Sequence, residues 1–157
     1  MPGMRREGHV IAVARDALVR VLVALALALV ANAAAAEPAP SKHEWTAIKR
    51  VIDAQIVALK KDDGAKAFGY ATAGLQAQFG DASTFMRMVH AGYEPLIAAR
   101  YREFLDGAVV DGHVIQPLRL VLNDGNVLVA LYTMEQEKGG RWRIAGCLLA
   151  PSTVKAA

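Results

Sequence analysis

The sequence predicts an α+β fold: a long N-terminal helix and shorter helices packed on a curved antiparallel sheet of about four strands. Two observations carry the prediction. Between His113 and Leu149, three β-rich runs are separated by Asn123-Asp-Gly-Asn126 and Gln136-Glu-Lys-Gly-Gly140, polar turns of the kind that close hairpins. Upstream, from Lys42 to about Lys60, apolar residues recur at helical spacing. Helices followed by a meander imply a layer of helices on one face of an antiparallel sheet. The 157 residues suit one domain rather than two.

The first 36 residues follow a different logic. Arg5, Arg6, Arg15 and Arg20 precede the apolar run Val21–Ala31, which gives way to Asn32-Ala-Ala-Ala-Ala36 and then to Glu37-Pro-Ala-Pro. A basic start, a short apolar centre and an Ala-x-Ala end make a secretory signal peptide, with cleavage expected after Ala36. The apolar run is about half of the roughly 20 residues that a spanning helix needs. Membrane contact is therefore expected only through the transient leader, and the mature protein is expected in the periplasm or outside the cell. Arg5-Arg6 lacks the apolar pair of a twin-arginine signal, and no Cys follows the cleavage zone to carry a lipid. The expected organisation is a leader over 1–36, a tether and helix cap over 37–44, the domain over 45–151 and a tail over 152–157.

Composition removes several function classes. The whole chain carries a net charge of +3, but four of its arginines and two of its acids lie in the leader, so the mature charge falls to +1. No basic stripe remains to suggest nucleic acid. The single cysteine, Cys147, cannot form an intramolecular bridge, and its setting in Ala145-Gly-Cys-Leu-Leu149 reads as a buried small side chain. Outside the leader, His43, His90 and His113 fall on three separate elements without metal-ligand spacing. Neither a metal site nor a cofactor signature is expected. There is no Gly-x-Ser-x-Gly elbow and no glycine-rich phosphate loop.

Each element has a local reason. Ser41 with Glu44 makes a capping box at the start of the first helix. Trp45, Ile48, Ile52, Ile56 and Leu59 then form one stripe of a rod about 28 Å long. Lys49 and Asp53 form an i,i+4 pair on its polar side. Gln55 projects near the apolar stripe, so its amide either ties down backbone or faces a cavity. Asp62-Asp-Gly64 ends this helix and caps a second; Ala71–Phe79 reads as another helical piece. Asp81 or Ser83 caps a third, with Phe85, Met88 and Val89 on one face, ending at Gly92. Tyr93–Ile97 reads as a loop and Ala99–Asp106 as an edge strand. Gly107–Gly112 is expected to be a loose connection or bulged hairpin closing on Asp111-Gly112. Pro117 cannot donate to a ladder and marks a bulge or an unpaired position. On Val127–Glu135, both the Val127/Val129/Leu131/Thr133 set and the Leu128/Ala130/Tyr132/Met134 set are apolar, as in a central strand covered twice or at an interface. On the last strand Trp142, Ile144, Gly146 and Leu148 alternate with Arg143, Ala145, Cys147 and Leu149.

The segments Val51-Ile-Asp-Ala-Gln-Ile56, Asp62-Asp-Gly64, Phe79-Gly-Asp81, Phe85-Met-Arg-Met-Val89, Gly92-Tyr-Glu-Pro95, Ala130-Leu-Tyr-Thr-Met134 and Trp142–Leu149 resemble an uncharacterised bacterial family, domain of unknown function 4864. They span most of residues 45–151, and the resemblance rests on their order rather than on any one motif. That family in turn resembles the nuclear transport factor 2-like, or cystatin-like, cone superfamily. The resemblance implies a long helix closing a bent sheet, and no particular activity, because the superfamily holds isomerases, dehydratases, epoxide hydrolases and ligand binders.

Two readings of function follow. The first is an exported, non-catalytic module that binds a partner protein, or a small apolar ligand in or near the cone; a homodimer through the sheet face is one form of it. The second is a small enzyme of the isomerase or dehydratase type, polarising a carbonyl with Tyr132, Tyr93 or Gln55. The candidate pocket-lining residues are Gln55, Tyr93, Tyr132 and Trp142, and no catalytic residue is assigned. A cone filled by Trp45, Phe68, Phe85 and Met88 would exclude the enzyme, and a buried carboxylate or imidazole in a roomy hollow would favour it.

Overall fold

Ser41 sets the first helix. In the computed structural model, which describes residues 38–152, the Ser41 hydroxyl accepts from the Glu44 N–H and the Glu44 carboxylate accepts from the Ser41 N–H at 2.8 Å. This is the reciprocal cap that the spacing predicts. Helix α1 then runs Lys42–Lys60 and buries Ile48, Ile52, Ile56 and Leu59 on one stripe. Four short helices follow: α2 (Gly64–Phe68), α3 (Ala73–Phe79), α4 (Ala82–Gly92) and α5 (Glu94–Ala98). Asp63, Thr72 and Asp81 cap the first three of them with their side chains.

The segment read as a loop at Tyr93–Ile97 is helical instead, as α5. Pro95 sits in its first turn, where a fixed φ and a missing N–H favour a helix start. The i,i+4 pair of Lys49 with Asp53 does not form either. Asp53 accepts from Arg102 of the sheet at 3.2 Å, and Lys49 Nζ lies 5.9 Å from the centre of the Phe104 ring. A partly shielded guanidinium across the helix–sheet gap competes well with a neighbouring ammonium in open water.

Among the described residues the sheet has five strands: β1 (Tyr101–Phe104), β2 (Ala108–Val110), β3 (His113–Val121), β4 (Val127–Gln136) and β5 (Trp142–Pro151). All pairings are antiparallel, in the order β1, β3, β4, β5, with β2 also pairing with β3. The outer edge of β3 is thus shared. Tyr101 lies opposite Val121, and Ala108 lies opposite Ile115. Pro117 sits at the join. Its carbonyl accepts from the Leu105 N–H on that edge, so its proton-less nitrogen points to the gap where β1 gives way to β2. Its nitrogen makes no ladder bond there, and Pro117 keeps its register opposite Leu131 on the other side. Gln116 closes the same gap by donating its amide to the Leu105 and Pro117 carbonyls at 2.8 and 2.9 Å.

The turn glycines bear out the hairpins. Asp111 and Gly112 have φ of 50° and 79°, and Gly139 and Gly140 have φ of 96° and 81°, values that the tight hairpin turns require. The helices cover one sheet face, formed by Leu118, Leu120, Ala130, Tyr132, Met134 and Ile144, all buried. Fully burying each isoleucine of α1 against that face stabilises by about 1.5–3 kcal/mol before entropy is counted.

The strict alternation expected of β5 is broken. Thr133 faces Gly146 and Met134 faces Ile144, so Ala145 has no partner on β4. This β-bulge puts one extra residue into β5. Trp142 and Ile144 face the helices, but beyond the bulge Cys147 and Leu149 do so, and Leu148 turns to the open face, where it is 60% exposed. The leader, its cleavage after Ala36, Glu37 of the tether and the tail beyond Ser152 lie outside the described residues.

Candidate functional site

The helix layer does not close over the bulged part of β5. Between them lies a cavity of about 380 Å³. Its wall is assembled from five elements. The first helix α1 presents Gln55 and Leu59, while α3 presents Leu75, Gln78 and Phe79. Phe85, Met88 and Val89 come from α4, Leu96 comes from α5, and Tyr93 stands between those two helices. Strand β5 supplies Ile144 and the bulge segment Ala145–Cys147.

The aromatic side of this wall is stiff. Phe85 packs on Phe68 at 5.3 Å between ring centres and meets the edge of Phe79 at 5.7 Å. These tilted and edge-on geometries suit ring quadrupoles. The position of α3 is fixed by Gln76, whose amide donates to the Phe68 and Ala71 carbonyls. Chain entry into α3 is fixed by Tyr70–Thr72, which pairs with the free edge of β5 at Ile144.

The cavity is uncharged. Among the described residues, no Asp, Glu, His, Lys or Arg side chain contributes to its wall. Its polar atoms come from Gln55, Gln78, Tyr93 and Cys147, with the backbone of the bulge. Gln55 is 4% exposed and donates Nε2 to the Ala67 carbonyl at 3.3 Å. This is the tie-down role expected for it. The same amide also borders the cavity, so the two roles named for Gln55 coincide. Among the described residues its Oε1 accepts no hydrogen bond. Tyr93 Oη donates to the Cys147 carbonyl at 2.8 Å, holding α5 to the β5 edge.

Two lining groups titrate, and both are pushed toward their neutral forms. Burial raises the Tyr93 hydroxyl above its ordinary range, with a smaller push from Cys147. Burial drives the Cys147 thiol up to about 12. A thiol held that high is protonated at neutral pH and is a poor nucleophile.

The other candidates lie elsewhere. Tyr132 is wholly buried under the helices, opposite Cys147. Its hydroxyl makes no hydrogen bond of ordinary geometry, although the thiol is close enough to interact, and burial raises its pKa well above 10.0. Trp142 packs into the core at the far end of β5, with Nε1 buried and unpartnered. The structure therefore brings Gln55 and Tyr93 together on one wall and leaves Tyr132 and Trp142 off it. Leu75, Gln78, Leu96 and the Ala145–Gly146 bulge were not singled out in the sequence. The one signal for the last of them is a glycine inside an otherwise regular strand.

The fillers named for a closed cone do not fill it. Trp45 packs at the N-terminal end of α1 against Gly107, where a Cβ would collide with its ring. Phe85 and Met88 line the hollow, and Phe68 supports Phe85. His43, His90 and His113 stay apart, and among the described residues no three His, Cys, Asp or Glu side chains gather as a metal site. His90 instead meets Asp62 at the surface, 3.1 Å away.

A second concavity lies on the open sheet face. It measures about 730 Å³ and is lined mainly by Ala108, Val110, Ile115, Pro117, Leu131 and Leu148. Val110 is 52% exposed beside the protruding Leu148. The sequence expected both faces of β4 to be apolar. The helices cover one, and the other remains open among the described residues.

A family model described as a domain of unknown function, DUF4864, matches residues 41–157. The chain belongs to the DUF4864 family. The match takes in every element that forms the cavity, from α1 to β5, so the hollow lies wholly within the DUF4864 domain. No curated protein and no solved structure matches the chain. Among the described residues of this DUF4864 protein, no helix is long and apolar enough to cross a membrane.

Proposed function

We propose that the protein is an exported, non-catalytic module that holds a small, mostly apolar ligand in the cavity between α1 and β5. One observation carries the reading. The hollow falls within the usual size range of small-molecule sites, roughly 300–1,000 Å³, and every lining side chain is neutral. Isomerase or dehydratase chemistry needs an acid or base poised near neutrality. Here Tyr93 has its proton committed to a backbone carbonyl and Tyr132 lies off the wall. Export is supported by the leader, with cleavage proposed after Ala36 and release into the periplasm or beyond. The mass of the protein recovered from the periplasm of an expressing bacterium tests that part: a chain still starting before residue 36 refutes it.

The binding part is tested by titrating the exported protein with a neutral solvatochromic naphthalene dye. Saturable one-to-one binding is expected, and Ala145→Phe should abolish it by filling the hollow while leaving the circular dichroism unchanged. Binding that survives this substitution, or no saturable binding at all, overturns the reading.

A second reading, compatible with the first, is self-association through the open sheet face. It is favoured by the exposure of Leu148 and Val110 over an apolar trough. Light scattering of the exported protein should report a dimer that Leu148→Asp converts to a monomer. A monomeric wild type refutes this second reading.

A further inference from the structure

The most buried polar side chain on the cavity wall, that of Gln55, has one acceptor without a protein partner among the described residues. Gln55 is nine-tenths buried and more, and its amide orientation is set by the bond from Nε2 to the Ala67 carbonyl. That bond leaves Oε1, a pure acceptor, without a protein partner. Rotating the amide to present its NH₂ group to the cavity would set two oxygens, Oε1 and the Ala67 carbonyl, against each other. The orientation is therefore locked. The next polar group along the wall has the same sign. Tyr93 Oη spends its proton on the Cys147 carbonyl, so it too has lone pairs to offer and no hydrogen to give. The side-chain donors on the wall are the weak thiol of Cys147 and Gln78, which is exposed at the mouth, beside the backbone N–H groups of the Ala145–Cys147 segment. Among the described residues no cation lines the wall to receive an anionic group.

We infer that the ligand of this cavity is a neutral molecule carrying a hydrogen-bond donor, a hydroxyl or an N–H, at its buried end, and that Gln55 Oε1 receives that donor. The inference rests on the ligand-binding reading above and adds polarity and orientation to it. An entirely apolar occupant strips water from Oε1 and returns nothing, which leaves a buried acceptor unpaired. A carboxylate entering the same end meets two acceptors and no positive charge. A donor-bearing ligand avoids both costs. Selectivity of this kind resides in the one group whose partner must be supplied from outside.

The test uses three probes of one shape, naphthalene, 2-naphthol and 2-naphthoate, titrated calorimetrically into the exported protein. The naphthol should bind about tenfold more tightly than naphthalene, the scale set by pairing one buried acceptor. Naphthoate should bind more weakly than either. In Gln55→Met the naphthol preference should fall to about twofold or less while naphthalene still binds, which shows that the cavity is intact; in Gln78→Met the preference should persist. Equal affinity for naphthol and naphthalene in the wild type overturns the donor inference and leaves the cavity reading standing. Failure of all three probes to bind overturns both. If Gln55→Met does not fold, side-chain amide NMR of the wild type decides: naphthol should shift the Gln55 amide resonances and naphthalene should not, and equal shifts overturn the inference.

Discussion

Cys147 supplies the sharpest quantitative test of the cavity's chemistry. Its ordinary thiol pKa is 9.0, and burial against the hollow pushes it up to about 12. Thiolate, not thiol, attacks alkylating reagents. At pH 8 the folded protein should hold about 1,000-fold less thiolate than the unfolded chain, tenfold for each unit of displacement. Iodoacetamide labelling followed by mass spectrometry, with and without denaturant, measures the ratio. The pH profile separates protonation from simple shielding. Shielding lowers the rate everywhere, yet the rate still levels off near pH 9. A raised pKa makes the native rate climb about tenfold per pH unit beyond pH 9 and through pH 11. A native rate that flattens near pH 9 would refute the electrostatic picture, even if labelling is slow.

The same displacement has a thermodynamic consequence, with a definite sign. The folded state holds the Cys147 proton more tightly than the unfolded state does. Below pH 9 both states keep it and stability is unaffected. Above pH 9 the unfolded chain loses it first, so stability falls as pH rises, by at most about 1.4 kcal/mol per unit, until the folded thiol also ionises near pH 12. Tyr93 and Tyr132, raised from 10.0 by burial, act in the same direction above pH 10. Urea midpoints measured from pH 8 to pH 11 should therefore decline. In Cys147→Ala the decline should begin nearer pH 10 than pH 9.

Three further outcomes follow from packing and capping. Gly107→Ala drives a Cβ into three carbons of the Trp45 ring and should cost about 1–3 kcal/mol by overpacking, read as a lower urea midpoint with unchanged slope. Ser41→Ala removes the hydroxyl that caps α1 and should cost about 0.5–2 kcal/mol; an unchanged melting temperature would show that the box is ornamental in solution. Ile52→Ala, at a wholly buried position, should cost about 2–5 kcal/mol. Val57→Ala, on the same helix but 43% exposed, should stay within about 0.5 kcal/mol, and similar losses at both sites would contradict the assigned face of α1.

What could be read from the sequence was whatever depends on neighbours within a turn or two. The Ser41–Glu44 box, the stripe of isoleucines on α1, the caps at Asp63 and Asp81, and the turns at Asp111-Gly112 and Gly139-Gly140 are all of this kind. Each is set by side-chain reach or by backbone sterics over three or four residues. The misreadings involve distant partners or competing local rules. Asp53 had a neighbouring lysine in sequence but an arginine 49 positions away in space. At α5, Pro95 carried two meanings, loop and helix start, and the choice rests on how that segment packs against α1 and α4. Of the site, Gln55 was legible as a polar exception on an apolar helix, and Tyr93 only as a chemically capable side chain within reach of a cavity. The cavity itself was not, because a hollow belongs to five elements at once.

The bulge on β5 ties these surfaces together. Without it, strict alternation from Ile144 would put Gly146 and Leu148 beneath the helices and turn Cys147 to the open side. One extra residue at Ala145 reverses the rest of the strand. Cys147 then takes the helix-facing position opposite Tyr132 that Gly146 would have held, and Leu149 takes the position opposite Ala130 that Leu148 would have held. Leu148, displaced by the same step, becomes the exposed apolar residue of the open face. A single extra residue thus decides which β5 side chains border the cavity and which stand on the open face. Deleting Ala145 removes the extra residue and keeps the register on either side, so Cys147 should stay opposite Tyr132 and Leu148 should stay on the open face. A deletion variant whose crystal structure buries Leu148 would refute this register.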